Sequence, residues 1–385
     1  MRIGIVCHPS IGGSGLIATQ LGIGLARVGH EVHFIARMRP FKLEDEDNIY
    51  FHCVEGIDYP LFDDPLYTFA LTAKIVEVAE QYDLDLVHAH YSIPHSLCAY
   101  LACEITTRKF LTITTIHGTD VTVVGQDKPL YPLNRFSINQ SAAVTTVSNF
   151  QRQYTKEQFE IFKPITVINN FIDLEVYSAK HASQKRRRML ANDDEKIVMH
   201  ISNFRPVKNT RIVIEAFHLV QARVKARLVL LGTGPDLEEM KQQCQDLGIS
   251  DKVSFLGNVT HTEEIIPNAD CIFQPSFHES FSMVALEAMA CKVPTVTSNV
   301  DGLPEVVKQG KSGFMSAPED SISMANDIVT ILSDENLQQQ LGEYGRQRAE
   351  KKFKWSDKIA EYIRCYEQAM IEHQDQLINS IQRKG

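Results

Sequence analysis

The sequence has no apolar stretch approaching the ~20 residues of a membrane span, so no membrane insertion is expected. It has no excess of positive charge. Its 39 lysines and arginines are outnumbered by 48 aspartates and glutamates, and the net charge of −9 argues against a general nucleic-acid binder, though a local basic pocket is still allowed. None of its eight cysteines forms a C-x-x-C pair, and several sit in apolar runs. They read as reduced core residues of a cytoplasmic protein. No cluster has metal-ligand spacing, so neither a metal nor another cofactor is expected. The glycine-rich stretch near the start lacks the G-x-G-x-x-G pattern, which removes the reason to infer a bound dinucleotide. No repeat of solenoid type appears.

What is present is the composition of a soluble globular protein, 44% apolar and 23% charged, in 385 residues that suffice for two ordinary domains. The opening MRIGIVCHPS superficially suggests a signal peptide. Its apolar run is too short and meets Pro9 and a glycine loop, so a first β-strand is the better reading.

Strand and helix patterns then alternate. Arg2 to Cys7 reads as a strand, Gly12-Gly13-Ser14-Gly15 as a loop, Leu16 to Val28 as a helix stopping at Gly29, and Glu31 to Ala36 as the next strand. That order implies a parallel, doubly wound α/β sheet. Asp85 to His90, Phe110 to Ile116, Ala142 to Val147 and Ile165 to Ile168 continue it. A second series begins at Lys196 to Ile201 and runs through Arg227 to Leu231, Val253 to Leu256, Asp270 to Pro275, Lys292 to Ser298 and a segment starting at Phe314. From Asp320 onward the pattern is helical, and Trp355 precedes a terminal helix.

An open α/β sheet keeps its ligands at the carboxyl ends of its strands. Polar residues stand there: Tyr91, then His117-Gly118-Thr119-Asp120, then Arg205 and Lys208 in the loop from Ser202, then Gly257-Asn258. Strand alternation is taken to turn His88 away from His90. Arg135 and Asn139, four apart, share a helical face. Asp83-Leu84-Asp85 mimics a metal motif but begins a strand, and reads as a solvated turn. Lys185 to Arg188 reads as the solvated face of a linker helix.

The most informative stretch is 277–291, FHESFSMVALEAMAC. It lies between two strands and reads as a turn followed by a helix from Met283 to Ala290, capped by Ser280 or Ser282. Such a helix start offers free backbone N–H groups and positive potential, which suits phosphate. Glu279 and Glu287 flank the turn eight residues apart. Glu287 has only Met283, Val284, Ala290 and Cys291 three and four positions away, and a carboxylate on that apolar face needs donors, which a sugar diol could supply; the plainer reading is a glutamate that pairs with a lysine or caps a neighbouring loop.

The pair Glu279–Glu287 with ESF and LEAMA resembles the E-x7-E signature of the retaining glycosyltransferases of family 4. The resemblance extends over essentially the whole chain. It implies the GT-B fold: two doubly wound Rossmann-like domains facing a central cleft, residues 1–171 binding the acceptor and 172–356 the nucleotide sugar, with helix 357–385 packing back on the first. It further implies that Glu279 meets the sugar hydroxyls and Glu287 the ribose. Gly13, Gly257, Asn258, Ser280, Phe281, Ser282 and Met283 complete the donor site by the same token. His117 would touch the donor sugar, oriented by Asp120, while Arg205 and Lys208 stabilise the departing diphosphate. Many members have a Gly-Arg with lysine five residues after the arginine. Here Asn203 stands in that arginine's place, so the match of cation to phosphate is open.

CHPSIGGSGLIATQLG, HAHYSIPHSLCAYLA, TIHGTDVTVVG, NNFID and HISNFRPVKN narrow the likeness to those members that move N-acetylglucosamine from UDP-N-acetylglucosamine to the hydroxyl of L-malate in bacillithiol biosynthesis. A dicarboxylate acceptor wants cations, N–H groups and hydroxyls. Ser14, Tyr91, Thr119, Asp120 and Arg135 are the candidates. The alternatives are a family member with an inositol phosphate, lipid or glycan acceptor, a UDP-sugar epimerase or hydrolase, and a silent binding protein. Association with a second copy is left open.

Overall fold

The computed structural model describes residues 1–9, 12–56 and 66–382. The chain divides into two compact units. The first runs to Asn170 and resumes at Ser356; the second is Phe171–Trp355.

The described residues of the first unit form seven strands: β1 (Arg2–Val6), β2 (Glu31–Ala36), β3 (Ile49–Cys53), β4 (Leu86–His90), β5 (Leu111–Ile116), β6 (Ala143–Thr146) and β7 (Thr166–Val167). They pair in parallel in the order β3-β2-β1-β4-β5-β6-β7. Helices cover both faces of such a sheet, so its central strands are buried throughout, as every residue of β4 and β5 is. The edge strand β3 (IYFHC) holds only half-buried and exposed residues, and His52 stops its apolar run at three residues, too short to stand out as a strand in the sequence. The predicted strand from Ile165 to Ile168 shrinks to the two residues of β7.

The glycine loop is also shorter than expected. Gly12 is the N-cap and the helix already begins at Gly13, running to Arg27. Glycine at a cap costs little, and Gly22 further along the helix serves packing. A Cβ on Gly22 would stand 2.2 Å from the Phe34 ring, so only glycine lets the helix lie this close to β2. Asp83 and Asp85 flank the buried Leu84; Asp83 pairs with Arg108 at 2.9 Å and Asp85 accepts the Arg2 N–H at 2.7 Å.

The second unit holds β8 (Lys196–Ile201), β9 (Ala226–Leu231), β10 (Val253–Gly257), β11 (Cys271–Gln274), β12 (Thr295–Ser298) and β13 (Gly313–Ser316). They too are parallel, in the order β10-β9-β8-β11-β12-β13. Phe204, Phe217, Phe273, Leu228 and Ile328 sit in its core. The basic run lies inside this unit, on the helix Gln184–Leu190, and is less solvated than expected. Arg187 donates to the Asn268 carbonyl at 2.8 Å and to Asp270 at 2.7 Å, while Arg186 pairs with Glu264.

The terminal helix Trp355–Gln382 packs on the first sheet. Tyr362 and Tyr366 are fully buried, and the Tyr366 hydroxyl lies 2.7 Å from His88 Nδ1. Seven of the eight cysteines are at least half-buried, and Cys53 on the edge strand is the exposed one. Among the described residues no helix is long and apolar enough to cross a membrane.

The docking of this helix gives a test. Tyr362→Ala should cost about 3–5 kcal/mol, and Tyr366→Phe about 1 kcal/mol through its lost hydrogen bond. Amide exchange should accelerate in β4 and β5 while β8 and β9 keep their protection. Equal acceleration in both sheets would contradict the assignment of the helix to the first unit.

Candidate active site

In the second unit, five loops follow strands to the same edge of a parallel sheet. The loop after β11 is the expected turn. Its helix spans Met283–Ala290 as read from the sequence, and of the two candidate caps it is Ser282 whose Oγ accepts the Ala285 N–H, at 3.3 Å. Ser282 sits at φ +75°, in the left-handed region that a β-carbon resists. The loop after β12 holds this conformation. Asp301 Oδ2 accepts the Glu279 N–H at 3.1 Å, and Gly302 N–H donates to the Glu279 carbonyl at 3.0 Å. A Cβ on Gly302 would stand 1.9 Å from the Ser280 carbonyl oxygen, so the two backbones meet where only glycine fits.

The loop after β8 locks against the same turn. Phe277 N–H donates to the Val207 carbonyl at 2.9 Å, and Asn209, left-handed at φ +55°, donates through Nδ2 to the Pro275 carbonyl at 3.0 Å. This register puts Lys208 Nζ 2.6 Å from Glu279 Oε2, each side chain about one-fifth exposed (22% and 19%). Two residues that sequence reasoning had given separate tasks are thus an ion pair. Arg205 is exposed on the same loop.

Gly232 and Gly234 after β9 bring their backbone onto Ser202 and Asn203; a Cβ on either would stand within 1.9 Å of a carbonyl oxygen. Gly232 N–H in turn donates to the Gly257 carbonyl at 2.7 Å, and Thr233 Oγ1 reaches Asn258 Oδ1 at 3.4 Å. Gly257 has open space at its α-carbon and φ +68°.

Two expected donor residues face inward. Phe281 is 2% exposed, with its ring edge-on to Phe353 at 5.5 Å, so only its backbone can meet a ligand. Glu287 is 6% exposed and lies against Tyr177, whose hydroxyl also bonds Thr262 Oγ1 at 3.0 Å. Burial first, and then the Glu287 carboxylate, push the Tyr177 phenol well above its usual range. The donor that the apolar helix face called for is therefore in part a tyrosine 110 positions away, for which no local spacing gives a signal. Met283 begins the helix, half-buried.

In the first unit, polar residues gather after β4 and β5. Ser14, in the first turn of its helix, shares a 2.7 Å hydrogen bond with the Tyr91 hydroxyl. Gly13 opens that helix. Thr119 is exposed at the start of the short helix Thr119–Thr122. Asp120 does not orient the His117 ring. Its Oδ1 accepts backbone N–H groups of Gly118 (2.9 Å) and His117 (3.3 Å), and its Oδ2 accepts Ser92 N–H (3.1 Å) and Ser92 Oγ (3.3 Å). It is 2% exposed, and burial raises its pKa against those hydrogen bonds. The ring of His117 meets His90 instead, Nε2 to Nδ1 at 2.9 Å.

Contrary to expectation, His88 and His90 share a face, because residues two apart on a strand point the same way, and their rings lie 4.4 Å apart. His95 joins them through Nδ1, which bonds the His90 carbonyl. Asn134, fully buried, donates to the Asp120 carbonyl at 2.8 Å and meets Ser92 Oγ, a role with no local sequence signal. Its neighbour Arg135 pairs with Glu160 at 3.0 Å, and the Asn139 side chain donates to the Arg135 carbonyl at 3.0 Å. Among the described residues no group of three or more His, Cys, Asp and Glu is placed to hold a metal ion.

Burial drives the histidines' pKa down, to about 3 for His88 and His117, about 4 for His95, and well below the usual value for His90. The folded-state values lie below the unfolded one, so the neutral rings contribute fully above pH ~6.5 and their contribution is lost as pH falls from there towards 3–4. Asp120, shifted upward, acts in the opposite sense. Unfolding in urea at pH 5.5 rather than 7.5 should show roughly 1.4 kcal/mol lost per histidine, with β4 and β5 losing amide protection first. Unchanged stability over that range would mean that the rings are not held neutral.

The N-terminal residues 11–176 match the family model Glycosyltransferase Family 4, and residues 182–348 match Glycosyl transferases group 1. The N-acetyl-alpha-D-glucosaminyl L-malate synthase of Bacillus anthracis is 40% identical over 95% of this chain and 96% of its own. Two solved structures share the fold. Sucrose-phosphate synthase from Thermosynechococcus elongatus superposes with a TM-score of 0.82 over 97% of this chain and 100% of its own, at 22% identity. HepE of Anabaena, solved with UDP and glucose, gives 0.81 over 94% and 99%, also at 22%. The two Rossmann-like units are those of the GT-B fold. With two family models spanning both units and a relative this similar along its whole length, the chain belongs to glycosyltransferase family 4.

Proposed function

We propose that the protein transfers N-acetylglucosamine from UDP-N-acetylglucosamine to the hydroxyl of L-malate with retention at the anomeric carbon, a step of bacillithiol biosynthesis. The observation that carries this reading is the 40% identity, over nearly the full length of both chains, to a relative named for that reaction. The geometry supports it in each unit. In the second, Lys208, Arg205 and the helix start at Met283 supply positive potential for a diphosphate. Negative charge builds on that leaving group as the glycosidic bond breaks, so these groups act where the transition state gains charge. Glu279 holds Lys208 in place and presents its second oxygen to sugar hydroxyls. Glu287 and Tyr177 serve the ribose side.

In the first unit, Ser14, Tyr91 and Thr119 supply hydroxyls for a dicarboxylate, and Arg135 its cation on release from Glu160. A retaining mechanism with an enzyme nucleophile needs a carboxylate free to attack. Glu279 is engaged by Lys208, and Asp120 accepts four hydrogen bonds. The bond changes then balance without one. The bond from anomeric carbon to phosphate oxygen breaks, the bond to the malate oxygen forms on the same face, and the hydroxyl proton passes to the departing diphosphate. Catalysis rests on positioning and leaving-group stabilisation.

The test is mass spectrometry of purified protein with both substrates and no added metal. A glycosylated malate with UDP is the expected result; UDP release without it would leave a transferase of another acceptor or a hydrolase. Lys208→Ala should lower kcat about 10²–10³-fold. Arg135→Ala should raise the KM for malate far more than that for the donor, and equal effects on both would remove Arg135 from the acceptor site.

A further inference from the structure

His117 and His90 share one proton along the 2.9 Å line between His117 Nε2 and His90 Nδ1. Which ring owns it decides what His117 offers on its other nitrogen. His90 is fully buried and His117 half-buried, both beside further imidazoles, with His88 4.4 Å from His90, so neither carries a second charge-bearing proton. Each ring therefore has one N–H and one lone pair.

The surroundings of His90 separate the two arrangements. Its Nε2 is buried and, among the described residues, has no hydrogen-bond partner. Its own carbonyl is taken by His95 Nδ1. If His117 owned the shared proton, His90 would have to carry its proton on Nε2, as a buried N–H with no acceptor. If His90 owns it, the unpartnered atom is a bare lone pair. Buried N–H donors without an acceptor are rare in folded proteins, and under-satisfied acceptors are less so. The second arrangement leaves His117 with its proton on Nδ1.

We propose that His90 is a positioning residue that donates from Nδ1 to His117 Nε2, holding His117 in its Nδ1–H form, so that His117 acts as a hydrogen-bond donor and not as a proton acceptor. Asp120 completes the restraint by fixing the backbone N–H groups of His117 and Gly118. The lone pair of His117 is used up by His90, and the nitrogen left for a ligand carries a hydrogen. It suits a sugar hydroxyl oxygen or another oxygen acceptor. It cannot remove the proton of the acceptor hydroxyl, which must leave by another route, as it does when the departing diphosphate takes it. The role towards substrate rests on the transferase reading above; the proton assignment does not.

The protein labelled with ring-15N histidine tests this directly. His117 resonances are identified by their loss in His117→Gln, and long-range 15N–1H correlations report the tautomer of the unmutated protein. A protonated Nδ1 with a lone-pair Nε2 is expected; the reverse overturns the proposal. Two variants extend the test to function. His90→Leu removes the donor and should lower kcat/KM for the nucleotide sugar about tenfold, the worth of one hydrogen bond to a reacting group, while releasing His117 to the Nε2–H form. His90→Asn keeps an N–H near the position of Nδ1 and should recover most of that loss together with the Nδ1–H form. Equal losses in the two folded variants would overturn the positioning role. An Nδ1–H signal in a protein that transfers no sugar would uphold the proton assignment and remove the transferase reading instead.

Discussion

Parallel pairing constrains this molecule more than any other single feature. Two parallel strands cannot be joined by a tight turn, so the chain must cross the sheet between one strand and the next. Every loop that leaves a strand then emerges at one edge, and every helix that follows starts there with unpaired N–H groups. Both sheets obey this along their whole width. The candidate residues come from distant parts of the sequence, yet within each unit they collect at one edge for that reason alone.

What turns an edge into a site is backbone against backbone. Gly232, Gly234 and Gly302 each stand where a side chain would collide with a neighbouring carbonyl oxygen. These contacts bring the loops after β8, β9, β11 and β12 within hydrogen-bonding reach. The Lys208–Glu279 pair is a product of that register, as is the left-handed Ser282 that opens the helix. Strain at such a residue persists because the surrounding loops over-determine it.

The two units use polar groups differently. In the second, the charged pair is part-exposed and can exchange partners with a ligand. In the first, His88, His90, His95 and Asp120 are buried and His117 half-buried, and they bond backbone groups, Ser92, Thr115, Tyr366 and, between His90 and His117, each other. A buried network of this kind holds ring orientations and proton positions, since each alternative strands a donor or an acceptor. Ser14, Tyr91 and Thr119 remain at the rim of that network, the first two half-buried and the third exposed.

The sequence by itself determined the parallel α/β architecture, most strand positions, and the helix Met283–Ala290 with its serine cap. Those follow from local periodicity, and capping chemistry acts within four residues. It also singled out Glu279, Lys208 and His117 as residues of interest. Only the tertiary structure decided their partners. Lys208 meets Glu279 across 71 positions, Glu287 meets Tyr177, and His117 is bound by His90 and not by Asp120 three residues away. The edge strand β3 and the buried Asn134 also escaped notice, one because its apolar run stops after three residues and the other because a polar residue on a helix looks the same in sequence whether it faces water or a carbonyl. The physical reason is common to all: a hydrogen bond is set by where loops from separate crossovers converge, and no local pattern encodes that distance.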